Sequence, residues 1–385
     1  MRYIWQHIQT IIDSYNGGLP LARFLKNYFR LHPKLGSRDR RILSEMSYCW
    51  FRCSKALPNN IDLEQRLKAC LFICETFVPQ VLQFLPEQWQ AKASLTMHDR
   101  VKTLRDEGYA FEPYKIGLSN VEFSGSFPHQ PYLASMLQQP RLFIRVRKQM
   151  KRITDLLAEN NIPFTAISEH CLSLPNAAPI DKILPAECYV VQDASSQATG
   201  AFFNPKPREE WWDCCSGAGG KSLLLKDIEP NIQLTVSDKR SSILHNLAER
   251  FKLYGHKPPM QQVIDMTDTS GISKALGNKK LDNIICDVPC TGSGTWARTP
   301  EQLYFFDEKL VEEFSERQKT IAASASEYLK SDGRLIYITC SIFRAENEDV
   351  VDDILKQTSL TLEIAQVING IDQHADSMFI AVFKK

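Results

Sequence analysis

The chain changes its hydrophobic rhythm, and the change divides it. Over residues 1 to about 120, apolar side chains recur every three or four positions. Leu21, Phe24, Leu25, Tyr28 and Phe29 form one such set, and Ile42, Leu43, Met46, Trp50 and Phe51 another. That spacing belongs to helices with one buried face. Gly36-Ser37-Arg38-Asp39-Arg40 interrupts it, with Ser37 placed to cap the next helix. The stretch 117–140 is rich in Pro, Gly, Ser and Asn and reads as a linker or boundary. Beyond it the runs shorten: 142–146, 164–167 and 189–191 read as strands, and 153–160 as a helix stopped by Asn161-Ile162-Pro163. From Trp211 onward strands and helices alternate to the end, the pattern of an α/β doubly wound parallel sheet. The expected organisation is a helical domain over 1–125, a small α/β subdomain over 126–200 and a larger α/β domain over 201–385.

Chemistry concentrates first at Trp211-Trp212-Asp213-Cys214-Cys215-Ser216-Gly217-Ala218-Gly219-Gly220-Lys221-Ser222. A strand, a tight glycine turn and a helix N-terminus follow one another, so backbone N–H groups can approach a ligand closely. Gly220-Lys221-Ser222 imitates the end of a phosphate-binding P-loop, but Cys215 stands where that loop needs its first glycine. A dinucleotide G-x-G-x-x-G is also absent, because Gly220 comes too early. The next apolar strand ends at Asp238, where an acid typically holds a ribose hydroxyl pair. A nucleoside-bearing cofactor fits these residues better than a triphosphate.

Composition narrows the setting. At 385 residues there is room for two or three domains. No window approaches the ~20 apolar residues of a membrane span, and the 11 cysteines, odd in number, point to reduced thiols in a cytoplasmic protein. Cys49, Cys53, Cys70 and Cys74 lie four apart in two pairs, yet no histidine stands at ligand spacing; buried core thiols, without metal, are expected. The formal net charge of +1 hides two basic clusters. The first includes Arg38, Arg40 and Arg41; the second runs through Arg141, Arg145, Arg147, Lys148, Lys151 and Arg152. A solvated helix face explains one such cluster; two together favour a nucleic-acid partner.

Two further loops follow apolar strands: Asp287-Val288-Pro289-Cys290-Thr291-Gly292-Ser293-Gly294, and Thr339-Cys340-Ser341 with Glu346-Asn347-Glu348 after it. A thiol beyond each strand end, with a carboxylate beside the first, is a candidate for covalent catalysis. Small packing cysteines are the alternative, and a second thiol at an adjacent strand end weakens it.

Asp287-Val288-Pro289-Cys290 with Thr339-Cys340-Ser341 resembles the paired motifs of the Sun/Nop family of RNA 5-methylcytosine methyltransferases. Asp213 to Lys221 resembles that family's cofactor loop D-x-C-A-A-P-G-G-K, with Ser216, Gly217 and Ala218 in place of Ala, Ala and Pro. Gln192 to Gln197, Arg298-Thr299-Pro300-Glu301 and Asp376-Ser377-Met378-Phe379 also match family signatures. Residues 35–52 resemble the NusB-like RNA-binding domain of the RsmB/Fmu branch, which modifies 16S ribosomal RNA. The resemblance implies a Rossmann-like methyltransferase domain behind an RRM-like subdomain and a NusB-like domain. It implies S-adenosylmethionine held by Cys215, Ser216, Gly217, Ala218, Gly219, Gly220 and Lys221, by Asp238 at the ribose, by Asp265 near the adenine, and by Asp287. Cys340 would be the nucleophile, Cys290 would assist release, and Asp287 would act as the acid at ring nitrogen 3. Arg38, Arg40, Arg41, Arg145, Arg147, Lys148 and Arg298 would meet RNA, 16S rRNA in the first place, with no membrane, no metal and a monomeric chain. The alternatives are the same chemistry on tRNA and an RNA-binding assembly factor with a decayed catalytic domain. Intact Cys290, Cys340, Asp287 and Lys221 argue against decay.

Overall fold

A computed structural model describes residues 2–385 apart from 75, 77, 113–115, 117, 119, 120, 126 and 177. Of the expected linker, positions 117, 119, 120 and 126 therefore lie outside the described residues. The described chain forms two compact units: Met1–Val121 with Pro128–Pro140 and Thr295–Glu308, and Glu122–Phe127 with Arg141–Gly294 and Lys309–Lys385. Residues 295–308, counted with the larger α/β domain from sequence, group with the helices.

The helical unit follows its apolar rhythm. Helix Arg2–Ser14 buries Ile4, Ile8 and Ile11, and helix Leu21–Leu31 buries Leu21, Leu25, Tyr28 and Phe29. Helix Ser37–Cys53 is the centre of the unit, with Ile42, Leu43, Met46, Trp50 and Phe51 all buried. Ser37 is not its cap. The helix starts one residue earlier than a Ser37 cap would require: Gly36 takes the cap position, and its N–H donates to Asp39 at 3.2 Å. Segment 295–308 is tied in by polar bonds. Leu21 N–H donates to Glu301 Oε1 at 3.0 Å, and buried Arg52 donates to the carbonyls of Met136, Gln138 and Ala297 at 2.7, 3.1 and 2.9 Å. Part of the Pro- and Gly-rich stretch is helical as well: His129–Ser135 buries Tyr132 and Leu133. The four cysteines on helices Ser37–Cys53 and Leu63–Ile73 and at Cys74 are all buried, and no set of three or more His, Cys, Asp or Glu among the described residues is arranged to hold a metal.

The second unit holds two sheets. Strands β1 (Leu142–Val146), β2 (Thr165–Ala166), β3 (Cys171–Leu174) and β4 (Tyr189–Val191) form an antiparallel sheet of order β2-β3-β1-β4. Helix Met150–Glu159 buries Ile153 and Leu157 in the same core as Ile144 and Leu172. β3, Cys-Leu-Ser-Leu, is too short and too mixed to announce itself in sequence.

The larger sheet comprises β5 (Glu210–Asp213), β6 (Gln233–Asp238), β7 (Met260–Val263), β8 (Leu281–Asp287), β9 (Leu329–Thr339), β10 (Thr361–Ile368) and β11 (Met378–Lys384). Its order is β10-β11-β9-β8-β5-β6-β7. β9, β8, β5, β6 and β7 are parallel; β11 runs antiparallel to both neighbours. The expected parallel sheet is thus five strands wide, closed by a C-terminal hairpin, because residues 369–377 are too few for a crossover helix. Central strands are covered on both faces, which is why they read as unbroken apolar runs: Trp211, Trp212, Ile284, Ile285, Ile336 and Ile338 are fully buried. The strand order reverses at β5, and such a switch point opens a crevice beyond the strand ends.

Candidate active site

β5 ends at Asp213 and the chain turns through Cys214 to Gly219 into helix Gly220–Ile228. Gly219 sits at φ +80°, and a Cβ there would come within 2.7 Å of Leu247, so only glycine fits. The loop is held without the proline of the motif it resembles. Ser216 donates through both N–H (2.9 Å) and Oγ (3.1 Å) to Ser237 O, Gly217 N–H donates to Asp238 Oδ2 at 3.1 Å, and Arg250 donates to Ala218 O. The departures at 216–218 therefore carry their own ties to β6 and its flanks.

Asp238 ends β6 and is buried. Burial works against its charge, but the Arg240 side chain, Arg240 N–H and Gly217 N–H hold its pKa below the ordinary value. Arg240 reaches its carboxylate at 3.0 and 3.1 Å from an exposed position.

A cleft of about 540 Å³ opens at these strand ends. It brings together Cys215, Asp238, Asp265, Asp287, Cys290 and Cys340, all singled out from sequence. Lys239, Arg240, Ile264, Met266 and Arg317 also line it and were not foreseen. Lys221 does not line it: the buried ammonium lies behind, 2.9 Å from Ser196 Oγ and 3.3 Å from Asp287 Oδ2. Its place is to anchor Asp287. Beneath them Asp213 is fully buried, one oxygen taking Ser222 Oγ at 2.5 Å and the other unpartnered. Burial pushes its carboxyl up to about 7; the Ser222 bond opposes this and the charge on Asp287 adds to it.

The thiols meet through strand register. Asp287 of β8 stands beside Ile338 of β9; Cys290 follows three residues later and Cys340 two, and their sulfurs lie 3.2 Å apart. Gly294 N–H donates to Cys340 O at 2.8 Å and Ser377 N–H to Gly294 O at 2.9 Å. A Cβ on Gly294 would fall 2.1 Å from Ser377 O, so the crossing of these loops demands glycine. Hydrogen bonding to Cys340 and burial, with Cys340's charge, push the Cys290 thiol well above its usual range. Glu346 and Asn347, noted from sequence without a role, are fully buried under the pair. Asn347 ties Thr339 Oγ1 (2.6 Å), Ser341 O (2.9 Å) and Ser124 Oγ (2.7 Å) together.

The basic residues separate into two kinds. Arg38, Arg41 and Lys148 are exposed; Arg40 is half-buried and donates to Leu35 O at 2.9 Å. Arg298 is half-buried in the helical unit. Arg145 is buried on β1, with Asp227 at 2.6 Å and Gln192 at 2.9 Å, and Arg147 meets the same Asp227 at 2.5 Å. His256 adds a third contact to Asp227 at 2.7 Å. Arg145 and Arg147 are thus built into an ion-pair cluster instead of standing on an open basic face.

Sheet order, switch point and cleft define a Rossmann-like S-adenosylmethionine-dependent methyltransferase fold. Two solved structures share it: PH0851 (TM-score 0.69, 19% identity, 94% of this chain and 93% of that one) and a methyltransferase homolog from Pyrococcus horikoshii (TM-score 0.56, 19% identity, 66% and 90%). Residues 201–383 match the family model described as 16S rRNA methyltransferase RsmB/F. Among curated relatives, ribosomal RNA small subunit methyltransferase B of Citrobacter koseri is 27% identical over 57% of this chain and 52% of that protein. The protein of the same name from Klebsiella pneumoniae is 30% identical over 44% of this chain and 38% of that protein. The chain spans about half the length, or less, of these relatives. No helix among the described residues is long and apolar enough to cross a membrane.

Proposed function

We propose that the chain is an S-adenosylmethionine-dependent RNA methyltransferase that makes 5-methylcytosine, in 16S ribosomal RNA, through a covalent cysteine–cytosine intermediate. The single observation that carries this reading is the pair of thiols 3.2 Å apart in a cleft that also holds Asp287 and Asp238. The cleft residues fit the cofactor. Asp238 offers a charged acceptor for ribose hydroxyls, Ile264 and Met266 an apolar wall, and Asp265 a polar edge for the adenine. When bound, S-adenosylmethionine supplies the methyl group for cytosine carbon 5.

The chain's own residues do the rest. Carbon 5 of cytosine is too weak a nucleophile unaided. The Cys340 sulfur bonds to carbon 6, which makes the ring an enamine with electron density on carbon 5. The Cys340 thiol proton is relayed to ring nitrogen 3 by the Asp287 carboxylate, which Lys221 holds in place. After methylation the carbon 5 proton passes to water, the double bond re-forms as the sulfur–carbon 6 bond breaks to give the Cys340 thiolate, and the nitrogen 3 proton returns to the Asp287 carboxylate. Cys290 keeps its proton well above the ordinary range and lies against the departing sulfur, so it can donate a hydrogen bond to the emerging thiolate.

The order of steps supplies the test. Cys340→Ala should abolish methylation and leave no adduct, because the first bond never forms. Cys290→Ala should stall after methyl transfer and leave enzyme bonded to RNA, a slower band in denaturing electrophoresis that ribonuclease removes. An adduct with Cys340→Ala instead would exchange the two roles, and full activity in both variants would refute covalent catalysis by these residues. Bisulfite sequencing of RNA from a deletion strain, against the complemented strain, separates 16S rRNA from tRNA as the substrate.

A further inference from the structure

Glu346 is a buried carboxylate that the proposed chemistry leaves without a task. It lies in the short 3-10 turn Arg344–Glu346 between β9 and helix Glu348–Gln357, and it is fully buried. A buried charge is costly unless it is satisfied, and a structure retains one where it does something. Four donors satisfy this one. Oε1 accepts from Thr291 N–H at 2.9 Å and from Gln318 Nε2 at 2.8 Å. Oε2 accepts from the hydroxyls of Thr291 and Ser341, both at 2.5 Å.

The identity of these partners matters more than their number. Thr291 directly follows Cys290, and Ser341 directly follows Cys340. One carboxylate therefore grips both thiol-bearing loops at the residue next to the thiol. Gln318 extends the grip: its Nε2 also donates to Pro289 O at 2.9 Å, and Tyr337 O–H donates to its Oε1 at 3.2 Å. None of the four donors is a cation, so the negative charge of Glu346 is solvated but not cancelled.

We propose that Glu346 is a positioning residue for the thiol pair. Its carboxylate, shared between Thr291 and Ser341, sets the separation of the two sulfurs, and its uncancelled charge disfavours a second negative charge on Cys290. The consequence is that Cys290 holds its proton beside the attacking Cys340 sulfur. Among the forces that push Cys290 up, Cys340 and burial come first and Glu346 follows. The inference rests on the covalent chemistry proposed above, but its decisive measurement does not.

That measurement is alkylation of Cys290 by iodoacetamide across pH, followed by mass spectrometry, in the full chain carrying Cys340→Ala and without RNA or cofactor. Adding Glu346→Gln should lower the midpoint of the alkylation profile by about one pH unit, because a nearby negative charge is gone while the shape is kept. Hydroxyls can turn to accept from the new amide, so the packing is preserved. An unchanged midpoint overturns the electrostatic role. In the chain with both thiols, Glu346→Gln should lower the methylation kcat severalfold or more, because Cys290 then gives up its proton more readily and is a poorer donor to the departing sulfur, with the KM for S-adenosylmethionine unchanged, since Glu346 does not line the cleft. Thr291→Val guards against a fold defect. It keeps the carboxylate and Thr291's backbone bond, so the alkylation midpoint should stay within a few tenths of a unit of the parent while methylation falls severalfold; full methylation overturns the tether. If the unmodified chain fails to methylate RNA, the functional proposal falls, and the alkylation series still decides the role of Glu346.

Discussion

Asp213 makes the folded state sensitive to pH in a direction opposite to most carboxylates. The side chain is fully buried at the start of the glycine loop, with one oxygen on Ser222 and the other without a partner. Its pKa stands at about 7 in the fold, chiefly because burial penalises the charge, against 3.8 for an ordinary aspartate. The folded state therefore holds the proton more tightly than the unfolded state. Stability is greatest below the unfolded value, falls as pH rises from about 4 to about 7, and is flat above. Each pH unit in that window costs ~1.4 kcal/mol, so the span from pH 5 to pH 8 costs about 3 kcal/mol. Asp213→Asn removes the titration and keeps an acceptor for Ser222; its buried amide N–H₂ costs a pH-independent ~1–3 kcal/mol. Thermal unfolding at pH 5, 6, 7 and 8 should show the variant gaining on the parent with rising pH, by roughly 6–12 °C across the range at ~2–4 °C per kcal/mol. Melting curves whose separation does not change with pH would refute a titrating Asp213.

Two expectations concern binding. Asp238→Ala should weaken S-adenosylmethionine binding by one to two orders of magnitude in calorimetry. Two charge-assisted hydrogen bonds are worth ~1.5–3 kcal/mol each, and releasing Arg240 from the same carboxylate offsets part of that; unchanged affinity would remove Asp238 from the cofactor site. Replacing Arg38, Arg40 and Arg41 together should weaken RNA binding, leave cofactor binding intact, and flatten the salt dependence by roughly one unit per lost phosphate contact. Arg40 is half-committed to Leu35 O, so the expected change is nearer two units than three, and a slope equal to the parent's would make the cluster a solvated face.

Sequence legibility followed the length scale of each cause. Glycine turns, strand ends and the acids after them depend on local stereochemistry and periodicity, so Asp238, Asp287, Cys290 and Cys340 stand out in the order of residues alone. Roles that depend on which elements meet do not. Lys221 looks like a ligand of the cofactor because it follows the glycine loop; the fold turns its ammonium to Ser196 and Asp287 instead. Arg145 and Arg147 read as part of a basic run, since the acid that neutralises them, Asp227, lies some eighty residues away in helix Gly220–Ile228. The antiparallel β10–β11 hairpin is hidden for a related reason: strand direction is set by connection length and neighbour choice, which hydrophobic alternation does not encode.

The thiol pair shows how a local pattern and a global register combine into a site. In a parallel sheet, neighbouring strands end at the same level, so residues a similar distance past their ends become neighbours too. β8 and β9 are paired with Asp287 beside Ile338, and the short steps to Cys290 and Cys340 bring two sulfurs to 3.2 Å. Shifting that register by one residue would exchange the side chains sent into the two packed cores, one of which takes Ile284 and the other Ile285 and Ile336. The core therefore enforces the alignment far more strongly than any contact between the thiols. The final separation of the loops is left to the crossing at Gly294 and to the bonds of Glu346 and Asn347, none of which hydrophobic pattern reports. Strand packing brings the two cysteines within reach, and buried polar groups fix the distance at which they could share one reaction.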